Sequence, residues 1–234
     1  MRYEIIGDRV IDLSQQLESG ITLPVGFPQI QADFFKSMAQ GDVINVEKYT
    51  FCPHSGTHID APFHFINDGI TIEQVDPGVI SGTAVVVDLT HLEDGAPIEK
   101  SDVVEWERKS GEEIREGDAV LLMTGFSRYW EVDDPEAKFL NRKWPYTTRS
   151  VADYFVEKKI RLVGVESMDL DLIDPYDLST SEFIGHRTFL PRGIYIIENL
   201  TNLDKIGAAR CNIIATPLKI KGGTGSPIRV IAIV

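Results

Sequence analysis

Cysteine is scarce: the 234 residues hold only Cys52 and Cys211, far apart and in no C-x-x-C pair. Two thiols cannot build the disulfide framework of a small secreted scaffold. A reducing compartment is the expectation, with one disulfide as the open alternative. Positive charge is also in deficit. Lys and Arg number 23 against 36 Asp and Glu, giving a net charge of −13. Non-specific nucleic-acid binding needs cations that neutralise phosphates, and an anionic membrane surface makes the same demand. Neither partner is expected. No apolar run reaches the roughly 18 residues that span a bilayer. Met1–Val10 carries Arg2, Glu4, Asp8 and Arg9 where a secretory signal would have an apolar stretch. The expected setting is the cytoplasm. Repeats, low-complexity tracts and Ser/Gly linkers are missing too, so residues 1–234 read as one domain with room for a sizeable core.

Several familiar catalytic signatures are absent. No His is followed by Glu, which removes H-E-x-x-H, and no G-x-S-x-G occurs. Gly222-Gly-Thr-Gly225 lacks the Lys-Ser/Thr frame of a phosphate loop and reads as a turn. Asp169, Asp171, Asp174 and Asp177 lack the Gly and distal Glu of a calcium loop and read as a solvated loop. His91 has no companion and reads as surface. Cys52 is a weak nucleophile candidate.

What is present is β-rich. Val10–Leu13, Val43–Phe51, Thr83–Leu89, Ala119–Met123, Arg161–Val165, Ile194–Ile197, Asn212–Ala215 and Ile228–Val234 are Val/Ile-rich runs bounded by Gly, Asp or Pro. Thr83–Leu89 and Ile228–Val234 are nearly continuous, which predicts strands buried on both faces. Ser101–Arg108 and Thr148–Lys159 space their apolar residues for one helix face. The expected fold is α/β and dominated by sheet, not a doubly wound sheet. Gly125–Pro145 reads as a long irregular insertion.

Three of the five histidines lie within eleven residues, in Pro53-His-Ser-Gly-Thr-His-Ile-Asp-Ala-Pro-Phe-His64. Gly56 and Pro62 oppose a helix. As extended chain, His54, His58, Asp60 and His64 share one parity and point one way. A core cannot accept that row without partners, and imidazole with carboxylate suits a divalent metal. Glu198 ends an apolar run in phase with Ile194 and Ile196. An inward carboxylate there must be protonated, paired or metal-bound. Phe27, Phe34, Phe35, Phe65 and Trp130 are candidates to line a pocket for a ring. Thr57 either orients a ligand or stabilises the turn.

The histidine segment resembles H-x-G-T-H-x-D-x-P-x-H of the cyclase family, which includes kynurenine formamidases and isatin hydrolases. It matches at His54, Gly56, Thr57, His58, Asp60, Pro62 and His64. Asp12-Leu-Ser14, Leu122-Met-Thr-Gly125, Val163-Gly-Val-Glu166 and Ser226-Pro-Ile-Arg229 extend the resemblance along the chain. The resemblance implies a swivelling β/β/α fold and a homodimer or homotetramer whose N-terminal region helps close a neighbour's site. It implies that His54, His58, Asp60, His186 and Glu198 hold one or two divalent ions, zinc or manganese. It also implies that His64 is the general acid/base. The implied reaction is hydrolysis of an amide, lactam or related carbonyl bond in a small molecule, with an aromatic one as a candidate, by metal-activated water. After Val165 the chain reads Glu166-Ser-Met-Asp-Leu-Asp171, where formamidases carry Asp-Thr-x-Ser-x-Asp. The wider hydrolase class is therefore preferred over kynurenine formamidase proper. A non-catalytic metal- or ligand-binding protein, and a cyclase running the same site in reverse, are the rivals.

Overall fold

Alternate residues of the long apolar runs face two different cores, and this sets the architecture. The computed structural model describes residues 7–130 and 138–234. In chain order its strands are β1 (Val10–Asp12), β2 (Gln31–Lys36), β3 (Val46–Thr50), β4 (His58–Asp60), β5 (Gly82–Asp88), β6 (Pro97–Ile98), β7 (Ala119–Met123), β8 (Tyr146–Thr147), β9 (Leu162–Val165), β10 (Tyr195–Glu198), β11 (Arg210–Pro217) and β12 (Gly225–Ile233). The α-helices are α1 (Pro77–Ile80), α2 (Lys100–Ser110), α3 (Lys138–Asn141), α4 (Arg149–Glu157) and α5 (Ile184–Phe189).

The main sheet runs β1-β12-β11-β5-β7-β9-β10-β4, and β4 also pairs with β12. That second pairing closes seven strands into a barrel-like ring, with β1 added beside β12. β5, β7, β9 and β10 are mutually parallel. Parallel neighbours need crossovers, and these carry α2, α4 and α5. Inside the ring, Ala84 and Val86 meet Leu121, Ile59, Ile197, Ile213 and Val230. Outside it, Val85, Val87, Val120, Leu122 and Ile196 meet Val103 and Trp106 of α2, Val151 and Phe155 of α4, and Phe189 of α5. This is the two-faced burial expected for Thr83–Leu89. The family's strand-rich α/β expectation holds as well.

The departures have local causes. The expected strand over 43–51 shrinks to β3, which pairs only with β2 in a separate ribbon. Every residue of β2 is exposed, so no apolar alternation marked it. The stretch from His54 to His64 is not extended throughout. Only β4 is strand, and Pro62–His64 forms a 3-10 turn opened by Pro62. Helix α5 is too short for periodicity to declare it. The 125–145 segment is less irregular than expected. Phe126, Phe139 and Trp144 are buried together with Met168 and Ile173. Residues 131–137 of that segment lie outside the described residues.

Candidate metal centre

The site is set by the register of the strand that closes the ring. β4 pairs antiparallel with β10, placing His58 opposite Glu198 and Asp60 opposite Ile196. Opposed residues share a face, and so do residues two apart on one strand. His58, Asp60 and Glu198 therefore share the outer face with Ile196, where α5 brings His186. Two glycines allow the approach of His54. Gly56 takes φ +59° in the turn before β4, a conformation other residues adopt at a cost. Gly225 packs so closely that an added Cβ would lie 2.9 Å from His54 Cε1 and 2.6 Å from the Ile59 carbonyl oxygen. The Gly222–Gly225 stretch is thus a turn, as expected, and also the wall behind His54.

All five expected ligands converge. His54 Nδ1 lies 2.8 Å from Asp60 Oδ1, and His58 Nε2 lies 3.5 Å from the same oxygen. The other oxygen, Oδ2, is 3.2 Å from His186 Nε2. Glu198 spans the same gap, with Oε2 3.3 Å from His58 Nε2 and Oε1 3.7 Å from His186 Nε2. His58, Asp60, His186 and Glu198 are 2%, 0%, 2% and 4% exposed. The rings are fixed from behind. His58 Nδ1 donates to the Gly56 carbonyl at 2.9 Å, because a carbonyl can only accept. His186 Nδ1 meets Asp171 Oδ2 at 2.9 Å, and His54 Nε2 meets Thr224 Oγ1 at 2.9 Å. Metal-binding histidines are usually held in this way.

One detail tests whether a cation fits. His54 Nδ1 and Asp60 Oδ1 are buried and close, yet neither makes a directed hydrogen bond. A cation held between them would satisfy both atoms at once. Charge agrees. Burial opposes protonation of His58, but Asp60 and Glu198 outweigh it and raise its pKa to about 10. Burial likewise opposes His186, yet Asp169, Asp171 and Asp60 hold it well above its ordinary value. Burial opposes ionisation of Asp60, and the surrounding histidines overcome it and keep Asp60 well below the carboxylate range. Glu198 is pushed up, by burial first and by Asp60 next. Without a cation, protons on His58 and His186 balance the carboxylates. A divalent ion would supply the same charge in their place.

His64 sits on the open side of the cluster, with its ring stacked on His54 at 3.9 Å between centroids. Burial, with the neighbouring His54, His186 and His58, lowers its pKa to about 3 against the pull of Asp60. One His64 nitrogen also lies near enough to Asp60 and His186 to form a three-residue group with them. Thr57 settles as structural: its hydroxyl donates to the Asn199 carbonyl at 2.6 Å and accepts from Gln15 N at 2.8 Å.

The solvated-loop reading of the acidic stretch is wrong at two of its four positions. Asp169 and Asp171 are buried, at 7% and 1% exposure. Asp171 accepts from the Gly185 and His186 backbone N–H groups as well as from the His186 ring, so it orients that ring. Only the placement of an acidic pair just past β9, near the end of a parallel strand where sites gather, could have flagged them. Of the five aromatic candidates, Phe27 and Phe65 line the cavity beside His54, His58, His64 and His186, together with Met168, Ile173 and Phe183. Phe34 and Phe35 instead project from the exposed ribbon, and Trp130 packs on Phe139. Both cysteines are free thiols, and His91 lies exposed away from the cluster.

Known proteins share this chain's sequence pattern and fold. The Cyclase family model ("Putative cyclase") matches residues 11–172. Kynurenine formamidase of Bacillus cereus is 33% identical over 221 residues, which cover 94% of this chain and 95% of that one. The structure of isatin hydrolase A from Ralstonia solanacearum superposes with a TM-score of 0.83 at 29% identity, covering 97% of this chain and 92% of that one. A protein described as a predicted metal-dependent hydrolase from Bacillus stearothermophilus gives a TM-score of 0.74 at 26% identity, over 96% and 97% of the two chains. With its histidine segment, its closing strand and these matches in accord, the chain belongs to the cyclase family.

Proposed function

We propose that the protein is a metal-dependent hydrolase that cleaves a C–N amide or lactam bond of a small aromatic molecule. His54, His58, Asp60, His186 and Glu198 hold one or two divalent ions, and His64 is the general acid/base. The observation that carries this reading is the convergence of five nitrogen and oxygen ligands around buried atoms that lack directed hydrogen bonds. Asp60 offers separate oxygens to His54 and His186, and Glu198 does the same for His58 and His186. Carboxylates placed this way suit two adjacent ions. A bound divalent ion would supply an acidified water and a Lewis acid for the carbonyl. Zinc and manganese both accept this mixed ligand set.

The chain's own groups supply the remaining work. Phe27, Phe65, Phe183 and Ile173 give the cavity an apolar wall that holds a ring and excludes water. His64 lines the cavity beside the cluster, its ring stacked on His54, and is placed to take the proton of the attacking water. It then delivers that proton to the nitrogen as the C–N bond breaks, leaving a carboxylic acid and an amine. Asp171 and the Gly56 carbonyl keep His186 and His58 in the tautomers that turn Nε2 toward the carboxylates.

Kynurenine formamidase proper is a narrower reading, favoured by the identity to the Bacillus enzymes. One assay separates the readings: turnover of N-formylkynurenine, isatin and a set of aryl formamides and lactams, with and without chelator. Chelator-sensitive hydrolysis of any of them is the expected result. No turnover by metal-replete protein across the set would favour a binding protein instead. A homodimer or homotetramer is part of the reading. Its support is the β2–β3 ribbon, which exposes Phe34, Phe35 and Tyr49, and light scattering measures it. A reducing, cytoplasmic setting is supported by the two free thiols.

A further inference from the structure

Two cavities meet at one side chain beside the cluster. The inner one, lined by His54, His58, His64 and His186, measures about 100 Å³. An apolar cavity that holds a single benzene ring measures roughly 150 Å³. The inner cavity therefore admits a carbonyl group but not an aromatic ring as well. A second cavity of about 670 Å³ adjoins it, within the span of roughly 300–1,000 Å³ usual for ligand sites. Phe183 and Ile173 line both cavities and form the partition between them. A ring bound at that wall must extend past Phe183. Beyond it, Trp144, Tyr146, Pro175 and Ile184 give the outer cavity an apolar surface. Its exposed charged residues, Arg142, Lys143, Asp174 and Glu182, are two of each sign among the described residues, so they select no net charge in an occupant.

Phe183 is held in an unusual way. Its backbone sits at φ 52° and ψ 52°, in the left-handed region that bulky residues rarely adopt. Such strain persists where the surroundings enforce it, and it gathers at ligand clamps. Here the Phe183 carbonyl accepts from Arg187 N at 3.0 Å, while Gly185 N and His186 N donate to Asp171. A Cβ added at Gly185 would lie 2.6 Å from Leu170 Cδ1, so the start of α5 is also packed tight. The backbone is pinned, and the side chain is the part free to turn. Its ring is half-buried and meets Phe65 and His186 edge-on, at 5.1 and 5.8 Å between centroids. A change of rotamer breaks those contacts without breaking a hydrogen bond.

We propose that the outer cavity is a substrate subsite and that Phe183 is its gate. With the reacting carbonyl at the cluster, the aromatic part of the substrate passes Phe183 and lies against Tyr146 and Ile184. The substrate class is thereby extended to amides that carry a long, uncharged aromatic group such as a biaryl. Burial of that group supplies the discrimination, in proportion to the apolar area taken from water. The inference rests on the hydrolase reading above and adds which residues read the part of the substrate that is not cleaved.

The test compares formanilide with 4-phenylformanilide, which share the bond to be cleaved. Metal-replete wild type should prefer the biaryl substrate by roughly 10- to 100-fold in kcat/KM. Thr180→Trp and Leu172→Trp each fill the outer cavity from a wall remote from the cluster, and in both the preference should fall at least about tenfold. Phe183→Ala removes the gate and should keep or raise the preference. No preference in wild type, an unchanged preference in both Thr180→Trp and Leu172→Trp, or a fall in Phe183→Ala overturns the proposal while the hydrolase reading stands. If no amide is turned over, the hydrolase reading fails, and calorimetry with unreactive 4-acetylbiphenyl decides the subsite alone. Binding to wild type that weakens at least about tenfold in Thr180→Trp keeps the subsite, and no binding, or equal binding to both, overturns it.

Discussion

Asp60 is the residue on which the proposed centre turns. Its carboxylate is fully buried, faces histidines from both of its oxygens, and forms no ion pair with Lys or Arg among the described residues. Asp60→Asn keeps the shape and removes the charge, so purified protein should lose both bound metal and activity. His64→Ala should do the opposite, retaining metal while kcat falls roughly 10²- to 10⁴-fold. Elemental analysis beside steady-state kinetics reads both. Metal loss in the His64 variant would move His64 into the ligand set. Much of this was legible in the sequence because His54, His58, Asp60 and His64 are near neighbours. The parity argument put these residues together, as the structure does, but through the wrong backbone, since a turn and a 3-10 segment, not a continuous strand, gather them. Asp171 was hidden because its partner, His186, lies on a helix fifteen residues later. Phe34 and Phe35 show the converse: an aromatic residue says nothing of which way its strand faces.

Among the elements, α2 and α4 are tied by one carboxylate. Glu107 of α2 accepts from Lys158 Nζ at 3.1 Å, from Ile114 N at 2.8 Å and from the Tyr154 hydroxyl. Burial works against its charge, but these donors outweigh that and hold its pKa below the ordinary value. A carboxylate depressed in the folded state stabilises fully above its unfolded pKa, and that contribution is lost as pH falls through the folded pKa. Glu107→Gln should therefore cost about 1 kcal/mol near pH 7, after allowance for solvent screening. The cost should shrink as pH falls below the ordinary carboxylate range, as urea denaturation of both proteins at neutral and at acid pH would show. A cost independent of pH would mean that packing, not charge, links the helices. The helices and buried strands were readable because each repeats its signal over many residues. The ribbon β2–β3 and the short α5 were not, as one has no buried face and the other spans fewer than two turns.

At the scale of the whole molecule, the ring is closed by its shortest participating strand, β4, whose three residues pair with β10 on one side and β12 on the other. Two proposed ligands, His58 and Asp60, stand on that strand, Glu198 stands on its neighbour β10, and His186 reaches them from α5. Removing metal with a chelator should lower the unfolding free energy by about 2.7 kcal/mol relative to protein with free metal at a hundredfold excess over Kd. Amide exchange should quicken first at Ile59 and Asp60, while the β5–β7 core stays protected. Uniform acceleration would show that the ion steadies the fold as a whole rather than at its join.

The double duty of β4 has a mechanical side. Opening the barrel and releasing the ion become a single excursion, so each must bias the other to the same extent. Ser226, sealed within the β12–β4 pairing, accepts from Leu218 N and donates to the Pro227 carbonyl, and its hydroxyl bonds none of the proposed ligands among the described residues, yet loosening it should weaken metal retention. The seam of the barrel then acts as a clasp, and the lifetime of the bound cation becomes a gauge of how often the clasp springs open.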